Sequence, residues 1–142
     1  MNIMIGACAK YVVSAVLVAL LVSIAKLAFA GTASLSGENL LPTVATSASG
    51  SATIHVGADK SITGSVTVSG LQPTGVHNHA GGTGDIGPVV VTLTRSSDDV
   101  WLIPAGVVLN DANFASYQKG ELFVDVHTSA HPGGEIRAQV GP

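Results

Sequence analysis

At 142 residues the chain has room for one domain and not two, and its formal net charge is −3. Six basic residues against nine acidic ones exclude the basic surface that nucleic-acid binding requires. A single cysteine, Cys8, excludes a disulfide framework.

The predicted elements begin with a targeting segment. Lys10 precedes a run from Tyr11 to Ala25 that is apolar apart from Ser14 and Ser23, and Lys26 interrupts it. The run is about fifteen residues, short of the roughly twenty that cross a bilayer. Ala28 and Ala30, before Gly31, give the A-x-A pattern of a signal-peptidase site. Residues 1–30 are therefore expected to form a signal helix that is cleaved after Ala30. Residues 31–142 are expected to be the domain, secreted or periplasmic and not inserted in a membrane after cleavage. An uncleaved anchor would place the same domain outside the membrane. Cys8 leaves with the signal. Four basic residues (Lys60, Arg95, Lys119, Arg137) then face all nine acids, a formal charge of −5 that also opposes attraction to anionic lipid.

From Gly31 onward the pattern is β. Residues 31–50, rich in Ser, Thr, Ala and Gly, are expected to begin with an edge strand or to stay mobile. Ala52, Ile54 and Val56 alternate with Ser51, Thr53 and His55, and Ile62, Gly64, Val66 and Val68 alternate with Thr63, Ser65 and Thr67. Residues 57–61 between them read as a hairpin connection. Pro88 opens a strand from Val89 to Thr94. Shorter apolar runs follow at Val100–Ile103 and Val107–Leu109, parted by Pro104-Ala-Gly106. Asn110 or Asp111 is placed to cap a short helix carrying Phe114 and Tyr117, ended by Gly120. Leu122, Val124 and Val126 form one face of a further strand, and Ile136, Ala138 and Val140 one face of the last. The fold class is all-β: an antiparallel, Greek-key-like sandwich or barrel of about seven or eight strands with one short helix.

The histidines carry the candidate chemistry. Side chains at i and i+2 of a strand share a face, so His77 and His79 present two imidazoles side by side, a geometry that suits copper or zinc. His127 and His131, near the end of their strand and in the loop after it, are the candidate further ligands, with Asp85 a fifth group within reach. The alternative is structural: His77 and His127 each donate a ring N–H to a backbone carbonyl and pin a loop. His55 falls on a polar strand face and reads as solvated. His131-Pro-Gly-Gly134 reads as a tight turn with Gly133 free to take positive φ. Glu135 and Arg137 share a strand face and are placed to pair. Trp101 is expected in the core; exposed, it would be an anchor for a partner.

Catalytic patterns are scarce. Gly81-Gly-Thr-Gly84 lacks the Lys-Ser/Thr and the helix of a phosphate loop. There is no G-x-S-x-G elbow. Asp98-Asp99 is a weak calcium candidate, because that ion takes six to eight oxygens.

Several stretches resemble the chordin-type (CHRD) domain: Leu35-Ser-Gly-Glu-Asn-Leu-Leu-Pro42, then His77-x-His79 followed by Gly87-Pro-Val-Val-Val-Thr-Leu93, then Gly120-Glu-Leu-Phe-Val-Asp-Val-His-Thr-Ser-Ala-His-Pro-Gly-Gly-Glu-Ile-Arg-Ala-Gln139. The pieces come in the family's order. His131 stands where the family often has Asn, and Ala138 where it often has Gly. The resemblance implies a secreted all-β domain. In animals such domains occur in an extracellular antagonist of growth-factor signalling; in microbes they often stand alone behind a signal peptide, the layout seen here. The His-x-His strand is also similar to that of copper–zinc superoxide dismutases, but their cysteine pair and bridging histidine are missing. The expectation is thus an exported, non-enzymatic domain that binds a protein or glycan or adds structure to the envelope. The alternative is a copper- or zinc-binding protein centred on His77, His79, His127 and His131.

Overall fold

A computed structural model describes residues 31–142; the expected signal segment lies outside the described residues. Strand β1 (Thr32–Leu35) is the edge strand anticipated near the start, and a 3-10 turn (Gly37–Asn39) follows it. β2 (Ser49–Val56) and β3 (Ile62–Ser69) form the longest pair, in register from Ser49↔Ser69 to Val56↔Ile62. Their alternation does what it predicts: Ala52, Ile54, Val56, Ile62, Val66 and Val68 are buried while Ser51, Thr53, His55 and Thr67 face outward. The connecting turn has Lys60 at φ 66, and Asp59 accepts from the amide and hydroxyl of Ser61.

β4 (Gly75–Ala80) crosses to a second sheet and pairs with β5 (Val89–Thr92). The single strand expected over Val89–Thr94 is two. Leu93 turns into the core, and the chain passes directly into β6 (Thr94–Arg95), which belongs to the first sheet and pairs with β7 (Val100–Leu102). The run Val107–Leu109 is not a strand. It makes one isolated bridge, Ser61↔Val108, and follows a turn in which Gly106 takes φ 79. Helix α1 (Asp111–Gln118) is capped by Asn110, whose side chain accepts from the Asn113 amide at 2.8 Å, and Gly120 at φ 73 follows its end. Tyr117 is buried and Phe114 packs partly on the core, as their spacing predicts. β8 (Leu122–His127) and β9 (Ile136–Val140) complete the second sheet.

The result is a sandwich of two antiparallel sheets rather than a closed barrel, ordered β1-β2-β3-β7-β6 and β5-β4-β8-β9. Leu35, Ile54, Ile62 and Val66 from one sheet meet Val76, Leu122, Val124, Val126 and Ile136 from the other. Each such aliphatic side chain contributes about 1.5–3 kcal/mol on burial. Two details set the seams of the sandwich. Ser36 and Arg137 exchange backbone hydrogen bonds of 3.2 and 3.0 Å, tying β1 to β9, and β5 runs into β6 through Leu93. One residue breaks the apolar interior: Asn78 of β4 is fully buried, and neither its amide nitrogen nor its oxygen has a hydrogen-bond partner among the described residues. Among those residues no helix is long and apolar enough to cross a membrane.

Candidate metal centre

The pairing register of β4 with β8 builds the site. Asp125 lies directly opposite His77, Phe123 opposite His79, and His127 opposite Gly75. Because Leu122, Val124 and Val126 point inward, Phe123, Asp125 and His127 point outward, onto the face that carries His77 and His79. One ligand atom from each of His77, His79, Asp125 and His127 lies within 4.8 Å of all the others. The ring centroids of His77 and His127 are 4.8 Å apart, and those of His77 and His79 are 5.7 Å apart.

Two loops orient the rings. His79 Nδ1 is 2.8 Å from the Gly87 carbonyl, and His127 Nδ1 is 2.8 Å from the Pro132 carbonyl. The first loop is drawn tight against the sheet: a Cβ at Gly87 would lie 1.5 Å from the Ala80 carbonyl oxygen, so only glycine allows the approach. Arg137, buried on β9, holds that loop by donating to the carbonyls of Asp85 (2.7 Å) and Gly82 (2.8 Å). Its guanidinium stacks 3.5 Å from the Phe123 ring centroid, and Phe123 in turn lies parallel to His79 with centroids 4.8 Å apart.

The hydrogen bonds decide where the lone pairs sit. A carbonyl only accepts, so Nδ1 of both His79 and His127 carries the proton, and in a neutral imidazole Nε2 is then a bare lone pair. Both Nε2 atoms lie 3.0 Å from the same oxygen, Asp125 Oδ1. The His127 contact is aligned as a hydrogen bond; His79 Nε2 is close in distance but off the ring N–H direction, and is buried without a hydrogen bond. Two nitrogen lone pairs against one carboxylate oxygen repel. The arrangement holds together only with positive charge between them, either protons on the rings or a cation.

The ionisation tendencies agree. Burial alone would raise the Asp125 carboxyl, but the hydrogen bond from His127 and the close approach of His79 outweigh it and hold it at about 2. The Asp125 contact raises His127 against the opposing effect of burial. His79 is raised as well: burial pulls it down, and the close approach of Asp125 with the bond to Gly87 more than offsets that. His77 alone is lowered, by burial and then by the neighbouring His127.

Of the residues expected at a site, His77, His79 and His127 come together; His131 and Asp85 do not join them. His131 sits in the turn after β8, where its amide donates to the Thr128 hydroxyl oxygen and its carbonyl accepts from the Gly134 amide. The turn presents the Pro132 carbonyl, not the His131 ring, to His127. Positive φ falls on Gly134 (117°) rather than on Gly133. The Asp85 carboxylate accepts from the Gly82 amide, closing its own loop. Glu135 and Arg137 do not pair: Glu135 accepts from the hydroxyls of Thr46 and Thr128, both at 2.7 Å. His55 lies on the outer face of the other sheet, opposite Thr63. Trp101 is buried, so it offers no anchor to a partner. Asp125 was missed, although Asp125-x-His127 repeats the i, i+2 pattern of His77-x-His79 once the inward face of β8 is known.

Fold and site together define a two-sheet antiparallel domain with an imidazole–carboxylate cluster on the outer face of one sheet. The CHRD domain family model matches residues 31–140, and the chain belongs to that family. No curated protein and no solved structure matches the chain.

Proposed function

We propose that this is an exported CHRD domain that works by binding rather than by catalysis, and that its ligand is a copper or zinc ion held by His77, His79, Asp125 and His127. One observation carries the reading: two imidazole nitrogens whose protons are committed to carbonyls face one carboxylate oxygen at 3.0 Å. A ligating histidine ordinarily gives its other ring N–H to a carbonyl or carboxylate, the arrangement found at His79 and His127. Three imidazoles and one carboxylate suit zinc or copper and not calcium or magnesium, which prefer oxygen alone. Zinc–nitrogen bonds of about 2.0–2.1 Å place tetrahedral donors about 3.4 Å apart; the ligand atoms of the cluster all lie within 4.8 Å of one another, so the widest pairs have up to ~1.5 Å to close. Export rests on the sequence of residues 1–30, and the −5 charge of the remainder fits a free domain that avoids nucleic acid and anionic lipid.

Elemental analysis of the untagged protein from the exported fraction, beside a His77→Ala/His79→Ala variant, is the test. Near-stoichiometric copper or zinc in the wild type, lost in the variant, is expected. No metal in either sample, with the variant less stable by about 1–2 kcal/mol, would make the histidines loop pins and turn the search to a protein or glycan partner.

A further inference from the structure

Beside His79 and Asp125 the sheet surface opens into a cavity of about 200 Å³, walled by Leu40, Leu41 and Ile86, with Gly133 at its rim. One feature of its floor calls for a ligand. Asp125 is only 5% exposed, and both imidazoles engage its Oδ1. No hydrogen bond from the described residues reaches its Oδ2, which lies 3.8 Å from where a Gly134 Cβ would be, beside the rim. The outer wall is apolar and open, with Ile86 97% and Leu41 65% exposed, while Asp85 and Arg137 complete the lining. A cavity of about 150 Å³ holds a benzene ring, so this one has room for a small aromatic molecule.

Resting on the metal reading above, we infer that the ion keeps one coordination position open to this cavity, and that the cavity takes a small phenol or alcohol. The ligand oxygen meets the ion through a lone pair, its O–H donates to Asp125 Oδ2, and its apolar body lies against Leu40, Leu41 and Ile86. The chemistry is selective in a definite way. An ether has no proton to give, so it leaves Oδ2 without its donor.

The test is titration of the copper(II)-loaded protein with phenol and with its methyl ether, anisole, followed by the copper electron paramagnetic resonance signal. Phenol should perturb the signal saturably, and anisole should bind at least tenfold more weakly. Gly133→Phe should weaken phenol at least tenfold while bound copper stays at the wild-type ratio. A Cβ at Gly133 meets nothing within 4 Å, so this plug is not expected to strain the fold. Leu41→Ala, at an exposed wall position, should weaken phenol about threefold to tenfold. Failure to bind copper would sink the metal reading and this inference together. Copper bound with no response to phenol, or with phenol and anisole equal, would overturn the ligand site and leave the metal reading standing. Equal phenol affinity in wild type and both variants would also overturn it.

Discussion

The two sheets turn outer faces of opposite character to their surroundings. On the first, Ser51, Thr53, His55, Thr63 and Thr67 of β2 and β3 stand in rows of polar side chains, half-buried on β2 and exposed on β3. On the second, the equivalent positions carry Phe123, Asp125, Arg137 and the histidines, and loops fold over them until Phe123, Asp125 and Arg137 are buried. Both faces arise from the same alternation of polar and apolar residues. Alternation therefore reports which side chains point away from the core, not whether water reaches them. What separates the faces is the loop after β4, held by the Arg137 guanidinium together with Gln139, which donates to the Gly81 carbonyl, and the His79 ring at the Gly87 carbonyl.

Replacing that guanidinium is the sharpest way to break the contrast. Arg137→Met should cost about 3 kcal/mol in chemical denaturation, through two charged hydrogen bonds and the stack on Phe123. Thr67→Ala on the other outer face should change stability by no more than about 0.5 kcal/mol. Equal costs at the two positions would show that the two faces do not differ as described.

The interior gives a change of opposite sign. Asn78→Leu replaces two unsatisfied buried polar atoms by an apolar group of similar shape, and should stabilise by about 1–2 kcal/mol. A destabilised variant would mean that Asn78 has a partner, such as a buried water.

The smallest effect is on pH dependence. His79 and His127 have folded pKa values above their ordinary one of 6.5, so what they contribute is fully present below that pH and is lost as pH rises through the raised values. His77 is lowered, so folding loses a little where that ring would protonate, below 6.5. Asp125 contributes above 3.8 and its contribution is lost as pH falls toward about 2. The metal-free protein should lose stability as pH rises above 6.5, and bound metal should remove that loss by taking the protons' place. Thermal melts across pH, with and without a chelator, read this directly. Identical profiles would contradict a shared proton and metal site.

Much of the sandwich is legible in the chain, because β2, β3, β8 and β9 carry clean alternation and α1 has its cap and stop. The break at Leu93 is not, since a continuous run of Val and Leu fits one long strand as well as two short ones in different sheets. The site is half legible. His77-x-His79 announces itself, and His127 follows from its strand. Asp125 hides between two valines until pairing sets it opposite His77, and His131 misleads because a ligand-type residue in a turn points where the turn sends it.

The seams of the sandwich bear on how the protein behaves in company. Exposed strand edges invite other chains to add on, and many proteins repel them with lysine. This domain has two lysines after Gly31, neither of them in a strand. Its edges are joined to each other instead: β1 is stitched to β9 through Ser36 and Arg137, and β5 runs straight into β6, so at both sides the end of one sheet is tethered to the end of the other. Any chain that adds to this sandwich meets an edge whose ends are already fixed by the domain's own path, with no lysine in the strand to repel it.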